Sequence, residues 1–293
     1  MTQGTTPSIA AAASADALIS GRASGRFSRR GGPGRGTRLF SWVVFVLTAL
    51  YFIVPLVATI GFSLRLPNAK AYTNVLFHDP GFVGGLLYSF AIGLVTIVIS
   101  IAIMVPTAYW VRLRLPRLRP IVEFVTLLPF VIPPVILVFG LLRAFSGGPL
   151  PLSTSDEGLN VLVVGAYVIL SMPYMYRSVD AGLRAIDIRT LTEAAQSMGS
   201  GWFEILWRVI LPNIRVALLS GSFLTLAIVI GEYTIASFLV RPAFGPYLAL
   251  LGRDKAFEPA AVSVISFGLT WIAMGIIAFL GRGGQRISVA GAR

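Results

Sequence analysis

Two short stretches hold most of the side chains in this sequence that are placed to do chemistry. The first is Thr190-Leu191-Thr192-Glu193-Ala194-Ala195-Gln196-Ser197-Met198-Gly199, followed downstream by Val209-Ile210-Leu211-Pro212. Its hydroxyls and single carboxylate precede small residues. That is material for capping a helix and for close contact with another protein, not for covalent catalysis. The second is Gly231-Glu232-Tyr233-Thr234, where an ionisable group stands inside an apolar run. Such a group is costly in a membrane and usually faces a bundle interior, a cavity or a partner. Glu232, with Tyr233 and Thr234 beside it, is therefore the candidate for a substrate path, where a carboxylate attracts a cation. The competing role for Glu232 is a helix–helix hydrogen bond or a salt bridge to a partner subunit.

Other chemistries are excluded by what the sequence lacks. It has no cysteine and a single histidine, His78, so neither a thiolate or histidine metal cluster nor a histidine-based triad can be assembled. A phosphate-cradling loop needs Gly-Lys followed by Ser or Thr. The two lysines are Lys70, followed by Ala71, and Lys255, followed by Ala256. No enzymatic site is expected, and no cofactor in this chain.

The elements that must position the two stretches are apolar spans. Of the 293 residues, 56% are hydrophobic and 12% charged, with a mean hydropathy of +0.82. Soluble domains average about 25% charged residues, so the chain reads as an all-α polytopic membrane protein. Uncharged or nearly uncharged runs predict six transmembrane helices: Leu39–Leu64, Phe82–Val111, Pro120–Leu142 with Glu123 near its start, Leu159–Tyr176, Val216–Val240 with Glu232, and Pro259–Gly281. Residues 39–281 form the membrane domain. Residues 1–38 read as a disordered basic tail that touches anionic headgroups, and 282–293 as a C-terminal tail. Ser28-Arg29-Arg30 has the look of a twin-arginine export signal, but the apolar run after it is too long for a signal core and is read as an uncleaved anchor.

Charge sets the orientation. The tails, the 112–119 loop and the 177–215 segment hold 18 of the 24 basic residues and fall on one face of a six-span layout. By the positive-inside rule that face is cytoplasmic, and both termini lie there. Basic residues at span ends fix topology; they do not form a phosphate-tracking face, so nucleic acid is excluded as a partner and membrane lipid is included. Glu123 is expected to pair with a loop arginine such as Arg119. Pro129, Pro133 and Pro134 crowd the third span, reading either as a broken helix beside a path or as a packed kink.

Within 177–215 the pattern Thr190-x-x-Glu193 reads as a capping box opening a helix that Gly199 ends. Trp202, Ile205, Leu206 and Val209 then repeat as the apolar stripe of a second short helix before Pro212 re-enters the membrane. The joint spacing is Glu193-Ala194-Ala195, three residues, Gly199, nine residues, Val209, one residue, Leu211-Pro212. In this spacing the chain resembles the permease subunits of binding-protein-dependent type I ABC importers. The resemblance runs from about Leu39 to Leu280, with Val209 standing where that family most often has isoleucine. It implies a cytoplasmic coupling-helix loop between spans four and five that docks an ATPase through Glu193, Ala194, Ala195, Gly199, Leu211 and Pro212. It further implies that ATP and Mg are bound by ABC ATPase subunits, that a second permease subunit, homologous or identical, completes the path, and that an external binding protein delivers the solute.

The implied location is a bacterial or archaeal-type cytoplasmic (inner) membrane. The Glu-Tyr-Thr-Ile-Ala-Ser stretch resembles the spermidine/putrescine branch, so a polyamine is the expected solute. Sulfate, iron(III) and phosphonate permeases share the layout and stand as alternatives. An ion-coupled secondary transporter titrating Glu232, and a non-transporting scaffold, are the other functional classes.

Overall fold

The computed structural model describes residues 35–147 and 150–282; the tail residues 1–34 and 283–293 expected above lie outside the described residues. Among the described residues the chain is helical, with no strand. It forms an all-α polytopic membrane fold. The described residues up to Leu56 fall in one compact unit and those from Val57 onward in a second.

Helix α1, Arg35–Ser63, carries the first unit's described residues. Its apolar side chains, among them Phe40, Trp42, Phe45 and Tyr51, are mostly exposed. Helix α2, Pro80–Leu113, is started by Asp79, whose carboxylate accepts the Gly81 amide at 3.0 Å, with Pro80 at the first helical position. At 34 residues it is roughly 51 Å long, well beyond the ~30 Å hydrocarbon layer. Helix α5, Asp156–Arg184, is capped by Ser155 and carries Asp156 and Glu157 in its first turn. It is the central helix, packed against α2, α3 (Arg119–Val131) and α7 (Arg215–Gly231).

The expected spans differ from the observed helices in two places. Pro120–Leu142 is not one helix. It divides into α3, Arg119–Val131, and α4, Pro134–Ala144, bent by 98°. The cause is local: Ile132, preceding proline, is pushed to extended backbone (φ −85°, ψ 116°), and Pro133 has no amide with which to continue the helix. Val216–Val240 likewise stops at Gly231. Glu232 is extended, and a separate short helix, α8, covers Thr234–Phe238. Helix α9, Phe244–Asp254, and helix α10, Glu258–Arg282, follow. Three described helices, Arg38–Ser63, Pro80–Leu113 and Asp156–Arg184, are long and apolar enough to cross a membrane unbroken. Two bent pairs, 116–144 and 202–231, would add two spans, and α10 opens with a further apolar stretch.

Three buried clusters hold the second unit together. Met104, Val105 and Tyr109 of α2 join Met175, Val179 and Leu183 of α5 and the buried side of the 185–214 loop. A second cluster packs Val138, Val163 and Tyr167 against Val229, Ile235 and Leu239, which lie on either side of the break at Glu232. A third seats Phe82 against Phe244, Leu251 and Val262.

Candidate functional site

The loop between α5 and α7 is built around a ten-residue helix, α6 (Ile188–Ser197), that starts a turn earlier than expected. Asp187, not Thr190, is its cap. The Asp187 carboxylate accepts the Thr190 hydroxyl at 2.8 Å and the Thr190 amide at 3.2 Å, and these bonds hold its pKa below the usual carboxylate range. Thr190 thus sits inside the first turn, and Glu193 is released from the capping role assigned to it. Asp187 supplies an equally good cap three residues earlier, and Ile188 gains burial by joining the helix.

One side of α6 is locked down. Ile188 and Ala195 belong to the core cluster under the loop, and Thr192 meets the Tyr109 hydroxyl of α2 at 3.1 Å. The other side, carrying Glu193 and Ala194, is exposed. The helix ends in a paired turn in which the Ser200 amide reaches the Ala195 carbonyl at 3.0 Å and the Gly199 amide reaches Gln196 at 2.9 Å. This closure needs a left-handed residue, and Gly199 provides it at φ +86°. A Cβ on Gly199 would meet nothing within 4 Å, so glycine is required by the backbone and not by crowding.

Beyond this elbow the chain winds as a short helix, Trp202–Glu204, then widely as a π-helix, Ile205–Ile210. The wide winding shifts the expected stripe. Ile205, Leu206 and Ile210 are buried and Val209 is half-buried, whereas Trp202 is turned outward. Phe203 and Trp207 stack in parallel on the exposed side. Leu211 packs on the core and Pro212 is exposed. The six residues of the spacing pattern therefore divide: Glu193, Ala194, Gly199 and Pro212 face outward, while Ala195 and Leu211 anchor the element.

The second candidate site lies at the joint between α7 and α8. Both Glu232 carboxylate oxygens accept the Ile235 amide at 2.9 Å, and Oε2 also accepts the Ala236 amide and the Tyr167 hydroxyl, each at 3.2 Å. The Glu232 carboxylate thus caps the start of α8 from one residue before its N-cap position, Tyr233, and its acceptor capacity is largely spent within the chain. Gly245 holds the joint from the other side; a Cβ there would fall 2.2 Å from the Glu232 carbonyl oxygen. Tyr233 is exposed and lines a cavity of about 460 Å³ with Arg241 and Arg253, and Thr234 is half-buried. The sequence places these three neighbours together, but the structure separates Glu232 from the cavity that Tyr233 lines.

A third group was not anticipated as a unit. Asp180, a tenth exposed, is surrounded by Arg112, Arg119 and Arg184, with Glu123 alongside. The expected Arg119–Glu123 pair is present at 2.8 Å. The available signal was Asp180 and Arg184 at i, i+4 at the end of an apolar run. Among the described residues no cluster of His, Asp or Glu is arranged to hold a metal ion.

Residues 104–283 match the family described as the binding-protein-dependent transport system inner membrane component. The chain is 25% identical over 273 residues to the spermidine/putrescine transport system permease protein PotB of Haemophilus influenzae, covering 83% of this chain and 90% of that protein. It is 29% identical over 224 residues to a probable molybdenum ABC transporter permease protein of Haloferax volcanii, covering 73% and 81%. The fold is similar to a chain of the bacterial alginate ABC transporter, solved with an alginate pentasaccharide-bound periplasmic protein. That likeness has a TM-score of 0.61 at 16% identity, covering 87% of this chain and 96% of that one.

Proposed function

We propose, for a chain that belongs to the family of binding-protein-dependent transport system inner membrane components, that α6 is the point where a separate ATPase grips it. The chain is the integral inner-membrane permease subunit of a type I ABC importer and is not itself an enzyme. One observation carries the docking assignment: α6 is fixed to the core along Ile188, Thr192 and Ala195, and presents Glu193 and Ala194 outward up to a glycine elbow. A short rigid helix with a small-residue outer face can enter a groove closely and pass its movement into α5 and α7 without chemistry of its own.

In this reading ATP and Mg belong to the ATPase subunits. Glu193, Ala194 and Gly199 meet the ATPase, Ala195 and Leu211 hold the element, and Pro212 turns the chain toward α7. The basic loops and both termini are cytoplasmic. A second permease subunit, identical or homologous, completes the path, and an external binding protein delivers a small polar solute. The likeness to a spermidine/putrescine permease supports a polyamine.

A second solute class rests on a specific observation. Glu232 is committed to Ile235, Ala236 and Tyr167, and the neighbouring cavity is lined by Arg253 and by Arg241, itself paired with Asp156 at 2.7 Å, with no carboxylate in its lining, so that Arg253 is the group there that suits an anion. The same commitment of Glu232 weighs against a proton-coupled carrier.

The experiment is ATP-driven uptake in cells with Ala194→Trp, whose indole would stand on the outer face of α6. Membrane insertion is expected to persist, with loss of ATPase co-purification and of uptake. Unchanged ATP-driven uptake would overturn the docking assignment. Competition of that uptake by spermidine, or by sulfate and molybdate, separates the two solute classes.

A further inference from the structure

The Asp180 cluster has more positive charge than neutralisation needs. Desolvating one carboxylate calls for one well-placed cation. Asp180 has three: Arg112 from α2 at 3.1 Å, Arg119 from the start of α3 at 3.5 Å, and Arg184 from α5, whose Nε lies at 2.9 Å. Two of them are shared with Glu123 on α3, Arg119 at 2.8 Å and Arg184 at 4.0 Å. One buried carboxylate therefore fastens three helices at a single point. The placement is equally specific. Arg184 is the last residue of α5, and only Ala185 and Ile186 separate it from Asp187, the cap of α6. On the far side, α3 is only 13 residues long and is cut from α4 by the 98° bend, so it is a short rod separate from α4. Between α3 and α5 lies a cavity of about 380 Å³, lined by Glu123, Thr126, Tyr176, Arg177, Asp180 and Arg184.

We propose that Asp180 is a positioning residue for transport: it ties α3 to the end of α5, so that displacement of α6 is carried into α3 and changes the width of the cavity between them. The proposal rests on the docking of an ATPase at α6. Without the Asp180 charge, α5 still moves with α6 through the continuous backbone and the shared apolar core, but α3 keeps only the longer Glu123–Arg184 pair at 4.0 Å and follows less. Arg119 and Arg184, each placed between two carboxylates, allow the tie to shift without breaking.

The absence of cysteine makes the test clean. Single cysteines at Ala185, before the tie, and at exposed Phe124, beyond it on α3, are labelled with an environment-sensitive fluorophore. They are read in the reconstituted transporter, with its ATPase, on trapping with ATP and vanadate. Both sites respond in the otherwise unsubstituted chain. With Asp180→Asn the Ala185 response persists and the Phe124 response falls at least about threefold; Asp180→Glu restores most of it. An undiminished Phe124 response in Asp180→Asn overturns the proposal. So does failure of both Asp180 variants to assemble with the ATPase, which would make the residue a plain structural support. If neither site responds in the unsubstituted chain, docking at α6 itself fails.

Discussion

Replacing Gly199 with alanine isolates the elbow from every other property of the loop. At φ +86° an L-residue is strained by roughly 1–2 kcal/mol, while the added methyl meets nothing within 4 Å. The whole cost is therefore conformational, and it falls on the turn that closes α6 through Ser200 and Gln196. If ATPase docking requires that turn, the competent fraction falls by the corresponding Boltzmann factor, and the apparent Kd for the ATPase rises about 5- to 30-fold. Asparagine tolerates the left-handed region and should lose less. Tryptophan pays at least the strain of alanine and adds bulk at an exposed position. Any loss beyond that of alanine then measures the partner's surface. The assay is ATPase binding to detergent-solubilised, membrane-inserted variants, with thermal unfolding as the control. Kd values within twofold of the unsubstituted chain for both Ala and Trp would refute the reasoning.

Three further outcomes follow from the same geometry. Glu232→Ala strips the cap from α8 and orphans the Ile235 and Ala236 amides, at about 1–3 kcal/mol in unfolding stability. Glu232→Gln, which keeps one acceptor oxygen, should cost less, and equal losses would contradict the capping role. Val240 lies at φ +53° in the turn after α8 and is 78% exposed, so Val240→Gly relieves strain and should stabilise by up to about 1 kcal/mol; a destabilised variant would count against the turn. Asp187 has a lowered folded-state pKa, so its contribution is complete at neutral pH and is lost only as pH falls through that value, below about pH 4. Hydrogen exchange of the first α6 amides should stay flat from pH 8 to 5 after correction for intrinsic rates, and Asp187→Asn should remove the acid-side loss.

What the sequence made legible depended on how local the cause was. Apolar length announced α1, α2 and α5, and the Glu193-to-Pro212 spacing located the loop. Gly199 ended α6 as its type demanded. The break after Val131 was half-legible: Pro133 and Pro134 announced a disruption, but not its angle of 98°. The start of α6 was misplaced because two capping residues, Asp187 and Thr190, compete three positions apart, and the burial of Ile188 decides between them. Glu232 stood out for its charge, yet its satisfaction depends on Tyr167, 65 residues earlier, and on a helix break that no apolar count reveals. The Asp180 cluster gathers α2, α3 and α5, a convergence beyond the reach of any window along the chain.

The most direct measurement places a photo-reactive benzophenone side chain at Ala194, on the exposed face of α6, and at Phe40, on the exposed side of α1, as the comparison. On irradiation of native membranes, docking at α6 predicts an adduct between position 194 and the ATP-hydrolysing subunit, with lipid adducts alone at position 40. Lipid adducts alone at position 194, or an ATPase adduct of equal yield at position 40, would contradict it.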